Sequence, residues 1–211
     1  PPGAPPMRPR TIDDDAILRA AVRVMGRAGP AKLTLAAVAR ECGLVAGTLV
    51  QRFGSKRGML LALAAHGVRD LGELSARVRA EHSSPLDALA ALITAAWSPL
   101  ATPTAYANHL AFLCADLADA EFHRLALDAQ RAQRAAVGEL LELAHAELRP
   151  GTDTGALADA VQAAVTGAGL LWAVDREGEL AGRQRAALAA ALAPYRRRMH
   201  PPTHRTGEDP S

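Results

Sequence analysis

Three glycines, Gly43, Gly47 and Gly54, fall within the stretch "ECGLVAGTLVQRFGSK" from Glu41 to Lys56, between segments whose apolar residues recur at helical spacing. Glycine weakens a helix interior and readily takes the left-handed conformation that ends one. The spacing predicts two short helices, "TLAAVAREC" capped by Thr34 and "AGTLVQRF", joined by a tight turn with Gly43 left-handed at its start. Upstream, "TIDDDAILRAAVRVMGRAG" reads as a first helix, with Thr11 able to cap, Asp13 to Asp15 at its positive end and Gly29-Pro30 closing it. Its apolar face is Ile17, Ala20, Ala21, Val24 and Met25. Downstream, Gly54-Ser55 interrupts before a long fourth helix, "KRGMLLALAAHGVRDLGELSARVRAE".

The remainder is also helical. Aromatic residues make up only 3% of the chain, β-branched residues are sparse, and alanine and leucine recur throughout, so the expected class is all-α. Ser84-Pro85, Ser98-Pro99 and Thr102-Pro103 each put a capping residue before a proline suited to the first helical position. They delimit helices near 85–97 and 103–117. Asp119 caps another running to about Leu148, which "RPGTD" breaks, and the last two helices lie near 154–175 and 179–197. Residues 1–10 and 199–211 are polar, Pro-containing tails predicted to be disordered. The expected division is a helix-turn-helix domain over 11–58 and a larger helical-bundle domain over 59–198.

Charge is uneven along this chain. Residues 1–60 carry ten Lys and Arg against four Asp and Glu, a net +6, whereas residues 61–211 sum to −4. A polyanion is therefore a partner for the first part alone. Cys42 and Cys114 are too few and too isolated for a disulfide framework or a Cys-rich metal site. No apolar run approaches the roughly 20 residues needed to cross a bilayer, and "PPGAPPMRPR" lacks the apolar core of a secretion signal. These features predict a cytoplasmic protein with no membrane partner and no cofactor.

Within the glycine stretch, Gly47 near the start of its helix lets the backbone approach DNA closely, and Thr48 can donate to a phosphate or a base edge. Gln51 suits adenine, Arg52 suits guanine or a phosphate, and Lys56 with Arg57 at the next helix start would grip a phosphate. A phosphate-cradling P-loop is a poor fit, because the spacing is short of that motif, no Lys precedes Thr48 and no strand leads in.

The span from Ile17 to Leu61 resembles the N-terminal DNA-binding domain of TetR-type transcriptional regulators. The resemblance is carried by Ile17-Leu18, Ala20-Ala21, Thr34, Val38-Ala39, Gly43, Gly47-Thr48-Leu49, Phe53 and Ser55-Lys56. It implies a repressor that binds double-stranded operator DNA as a homodimer and is released by a small ligand, with DNA contacts drawn from Thr34, Ala46, Gly47, Thr48, Gln51, Arg52 and Lys56. Two positions depart from the pattern: Val45 stands where a capping serine is usual, and Val50 where a phosphate-contacting tyrosine is usual.

The resemblance also implies a ligand pocket between residues 85 and 175. Trp97, Tyr106, His109, Leu110, Phe112, Leu113, Cys114, Leu117 and Phe122, with Trp172 further on, concentrate most of the aromatic residues there and are read as a mostly apolar ligand wall, each being equally compatible with ordinary core. Leu157, Val161, Val165, Ala168 and Trp172, then Leu188 and Leu192, recur at helical spacing and are read as a dimer interface, the alternative being protomer core. Two other functions stay open: a ligand-binding protein that has lost sequence-specific DNA recognition, and an enzyme using His109 or Cys114. Five positions separate that pair, which places them on different helical faces, and Asp116, Asp119 and His123 do not share a face suited to a metal.

Overall fold

The structure, a computed structural model, describes residues 12–197. The predicted tails and Thr11 lie outside the described residues. Nine α-helices are present among the described residues: α1 Asp14–Lys32, α2 Leu35–Cys42, α3 Ala46–Phe53, α4 Lys56–Glu81, α5 Pro85–Trp97, α6 Pro103–Leu117, α7 Ala120–Leu143, α8 Thr154–Asp175 and α9 Leu180–Leu192. The all-α class and the helix order follow the sequence pattern. At the start of α1 the Asp13 carboxylate caps, accepting from the Ala16 amide at 2.7 Å. Thr34, Ser55, Ser84, Thr102, Asp119 and Asp153 cap α2, α4, α5, α6, α7 and α8 through side-chain oxygens.

Two predicted ends are shorter in the structure. α7 stops at Leu143 rather than near Leu148, and α9 at Leu192 rather than 197. The two chain segments beyond them pair instead, Leu148 with Arg196 in an antiparallel bridge. The Arg149 amide donates to Tyr195 O at 2.8 Å and the Arg197 amide to Glu147 O at 2.9 Å. This pairing satisfies backbone groups left by both helix ends and brings Leu148 into the core.

The apolar faces close two main cores. Ile17, Leu18, Val24, Leu33, Val38, Leu49 and Met59 bring α1, α2, α3 and the start of α4 together, with Phe112 of α6 against them. The second core joins Val78 near the far end of α4 to α5, α7, α8 and α9 through Leu89, Leu92, Leu140, Leu141, Val161 and Leu188. α8 is 22 residues long with a mean hydropathy of 1.4, so one helix does meet the length and composition for crossing a bilayer, contrary to the sequence reading. Its Leu157, Val161, Val165 and Trp172 are buried against neighbouring helices, which accounts for the inner part of that apolar character.

Packing of α6 against α1 depends on a local break. Pro30 has no N–H, so the Gly26 carbonyl four residues earlier loses its helical partner, and Gly29 departs from helical geometry at φ 73°. Asn108 of α6 donates its side-chain amide to Gly26 O at 2.7 Å, supplying that partner from another helix. Beside it, Ala105 lies 3.4 Å from where a Gly26 Cβ would stand.

A close approach of the same kind seats Tyr106, which is fully buried and donates its hydroxyl to Thr166 O at 3.3 Å. A Cβ at Gly169 would fall 2.5 Å from that hydroxyl and 2.8 Å from the ring. Gly169→Ala is therefore expected to destabilise the fold by about 1–3 kcal/mol, read from the urea midpoint. An unchanged midpoint would show that the Tyr106 ring moves aside freely.

Candidate functional site

The turn between α2 and α3 follows from Gly43, left-handed at φ 68°, whose amide donates to Arg40 O while the Leu44 amide donates to Ala39 O at 2.8 Å. α3 is held by Leu49, fully buried, so its opposite face is solvent-facing. That face presents Ala46, Gly47, Val50 and Gln51, with Thr48 half-buried at its side. Nothing lies within 4 Å of a Cβ built on Gly47, so the helix offers an open backbone surface there. Val45 precedes α3 without a side-chain cap, and Val45 and Val50 are 72% and 50% exposed.

The basic residues predicted beside this face are placed differently from expectation. Arg52 turns back to α1, donating to Ile12 O at 2.6 Å and to the Asp14 carboxylate at 2.9 Å. Lys56 donates to Pro30 O at 2.9 Å. Arg57 pairs with both oxygens of Asp119 at 2.8 and 3.0 Å and with Glu121 at 2.7 Å, while its guanidinium sits 4.8 Å from the Phe122 ring centroid. Thr34 uses its hydroxyl to cap α2. Arg23 and Arg27 are drawn to Glu41, whose carboxyl they hold below the usual range, Arg27 most strongly. Lys32 and Arg40, in the last turns of α1 and α2, are exposed and pair with no described residue. Sequence reasoning passed over these two because it followed the motif into α3. Their position at helix C-termini was the available signal.

A partly open cavity of about 830 Å³ runs along α4, lined also by α5, α6 and α7, with Arg19 and Met25 of α1 and Thr166 of α8. It lies between two ion-pair contacts of α4 with α7, Arg57 with Asp119 and Glu121 at one end and Arg79 with Glu139 at the other. α6 turns His109, Phe112, Leu113 and Asp116 towards it, the stripe that helical spacing of three and four produces. Trp97 and Phe122 complete the aromatic wall.

Five predicted wall residues do not line it. Tyr106 and Trp172 form a layer behind the wall, Tyr106 stacking on Trp97 at 5.6 Å and meeting Trp172 edge-on at 6.2 Å. Trp172 donates its indole N–H to Gly178 O at 3.1 Å. Leu110 packs with that layer, and Cys114 and Leu117 are exposed outside the cavity. Cys114 and His109 thus share no site, and Asp119 is occupied in capping α7 and pairing Arg57.

The wall is also more polar than the sequence reading allowed. Arg19, Asp70, Glu73, Arg77, Asp116, Gln130 and Gln133 all reach the cavity. Burial pushes His109 below the ordinary imidazole value, leaving it neutral near pH 7. Burial first, and the Asp119 charge second, push Asp116 above the ordinary carboxyl value.

The predicted dimer residues are placed inside one protomer. Leu157, Val161, Val165, Trp172, Leu188 and Leu192 are each under 5% exposed, and Ala168 is half-buried. The stripe read as an interface is the inner face of α8 and α9. Outward, α8 exposes Leu170, Leu171 and Val174 at 48%, 64% and 76%.

A sequence model described as "Bacterial regulatory proteins, tetR family" matches residues 17–63, the segment that folds into the helix-turn-helix and the start of α4. The tetR-family match is confined to this N-terminal segment. The HTH-type transcriptional regulator BetI of Stenotrophomonas maltophilia is 34% identical over 80 residues, covering 37% of this chain and 41% of the relative. BetI of Brucella suis is 32% identical over 97 residues, 46% of each. The chain thus matches less than half the length of these curated relatives. Over nearly the whole chain the likeness is one of fold. SmeT, the repressor of the Stenotrophomonas maltophilia multidrug efflux pump SmeDEF, superposes at a TM-score of 0.63 with 21% identity, covering 89% of this chain and 92% of SmeT. A transcriptional regulator from Saccharomonospora viridis, solved with choline, reaches 0.69 at 18% identity, covering 88% and 98%.

The contact between α4 and the start of α7 has a measurable acid signature. Arg57, then the Phe122 amide, hold Asp119 down at about 2, below its ordinary 3.8. A carboxyl depressed by folding contributes stability that is complete above its unfolded value and is lost as pH falls through the folded one. The stability advantage of the wild-type chain over Asp119→Asn is expected to be full above pH 3.8 and gone near pH 2, measured by urea unfolding at stepped pH. A difference that does not change across that window would remove the ion pair as its source.

Proposed function

We propose that this chain is a cytoplasmic transcriptional repressor that binds a pseudo-palindromic operator as a homodimer and is released by a small, mostly apolar ligand. The observation that carries this reading is continuity. The helix following the exposed reading helix is the same helix that walls the 830 Å³ cavity. Residues 11–58 form the reading head and residues 59–198 the ligand and dimer domain, with α4 belonging to both.

In the reading head, Gly47 admits close approach to the DNA backbone, and Thr48 and Gln51 are the side chains placed to reach base edges or phosphates. Lys32 and Arg40 add the sequence-independent attraction that Arg52 and Lys56, tied to α1, do not. Arg52 instead ties α3, and Lys56 the start of α4, back to α1. A ligand acts by binding better to an arrangement in which α4 has moved relative to α7 than to the DNA-bound one. Phe122 is suited to report that movement, because it lines the cavity and carries the Arg57 guanidinium.

Two copies meet through the outer face of α8 and α9, where Leu170, Leu171 and Val174 are exposed, as are small residues such as Ala163, Ala189 and Ala190. Small residues let helices approach closely, and exposed leucines in one patch are stabilised by mutual burial. The two recognition helices then enter successive major grooves.

The exposed Val45 and Val50, with Arg52 and Lys56 turned inward, favour one rival reading, a ligand-binding protein of this fold without a DNA sequence code. Selection of duplexes from a random library separates the two. An enriched inverted repeat whose affinity falls steeply with salt is the expected outcome. Salt-sensitive binding with no enrichment would leave the rival. On the enriched site, Gln51→Ala is expected to relax preference at one position per half-site by about 1–3 kcal/mol; equal losses on specific and random duplex would remove Gln51 from the reading set. Leu171→Asp with Val174→Glu is expected to yield monomers in sedimentation velocity, and a dimeric double variant would refute this interface.

A further inference from the structure

We propose that the cavity is built for an amphiphilic organic cation, whose charged head is held by the Asp116 carboxylate and the aromatic rings around it while its apolar part lies along the seam between α4 and α7. The inference rests on the ligand-responsive reading above and adds the chemical class of the ligand.

Asp116 is half-buried in the cavity wall and forms no ion pair or side-chain hydrogen bond with any described residue. A carboxylate removed from water without a partner is costly, and a cation brought by a ligand offsets that cost. The nearest acid in sequence, Asp119, is already neutralised by Arg57, which also engages Glu121, so Arg57 is committed elsewhere and does not pair with Asp116. Phe112 lies one helical turn before Asp116 on the same face, and Phe122, His109 and Trp97 line the same cavity. Aromatic faces attract cations, and Phe122 already holds the Arg57 guanidinium 4.8 Å from its centroid.

The other charges of the wall do not compete for this role. Arg19 and Arg77 are exposed, Arg77 lying 4.0 Å from Glu81. Asp70 lies 3.2 Å from His66, and Glu73, although it reaches the cavity, stays exposed to water and so lacks the burial that sets Asp116 apart. His109 is kept neutral by burial and so does not repel a cation. Between the ends, Leu60, Leu63, Ala64, Leu71, Leu125 and Ala126 make an apolar lane suited to an alkyl or aryl tail.

Three probes with one ten-carbon tail test this: decyltrimethylammonium, decyl sulfate and 1-decanol, each below its micelle concentration or solubility limit. Binding to the free protein is followed by calorimetry and by tryptophan fluorescence, since Trp97 lines the cavity. The cation is expected to bind at least about tenfold more tightly than the sulfate. Asp116→Asn should abolish that preference with decanol binding intact, and Asp116→Glu should keep it. Retained decanol binding shows that a variant is folded. Equal or tighter binding of the sulfate, or an Asp116→Asn protein that still prefers the cation, would overturn the proposal. Because DNA is absent, a failure of the operator reading leaves these outcomes readable. Cation binding that does not dissociate a selected duplex would support the site while sinking the release mechanism.

Discussion

One uninterrupted helix carries a residue of each main core. Met59, in the first turn of α4, is buried with the reading head, and Val78, five turns later, is buried with the bundle. An α-helix is stiff over this length, so displacement at one end is delivered to the other rather than absorbed. The proposed link between ligand and DNA depends on that stiffness and on what pins the helix along its sides. Ion pairs to α7 pin it near both ends. Between them it faces a cavity, where a bound ligand, on the proposed reading, would decide which arrangement is favoured.

Charge in the head is mostly spent internally. Arg23 and Arg27 serve Glu41, Arg52 serves the start of α1, Lys56 its end, and Arg57 the α6–α7 corner. Each such pair is exposed and weak as a source of stability, yet each orients one helix against another. The net positive charge of the first 60 residues therefore exceeds the charge freely presented to a polyanion. Under the proposed DNA-binding role, specific contacts then weigh on the outer face of α3, and long-range attraction on residues such as Lys32 and Arg40.

Helix order, most caps and the glycine turn were legible in the sequence because each depends on neighbours within four residues. Thr34, Ser84, Thr102, Asp119 and Gly43 act as their residue types predict. The α6 stripe of His109, Phe112 and Leu113 was also within reach, since helical spacing puts those side chains on one face. Asp116 completes the same stripe and was set aside because it was weighed as a metal ligand rather than as a cavity wall.

Which face of α8 and α9 is inner, and whether an arginine points at solvent or at another helix, were settled by tertiary structure alone. Periodicity shows that Leu157, Val161, Val165 and Trp172 share a face, but a core stripe and an interface stripe have the same period. Likewise Asp119 lies 62 residues from Arg57, and Asn108 lies 82 from the Gly26 carbonyl that Pro30 leaves without a partner. Sequence by itself determined the helices, their ends and the turn that presents α3, all short-range consequences of backbone hydrogen bonding and steric preference. Long-range pairing decided the cavity, the buried stripe and the fate of the basic residues, because those depend on which surfaces meet once the helices have packed.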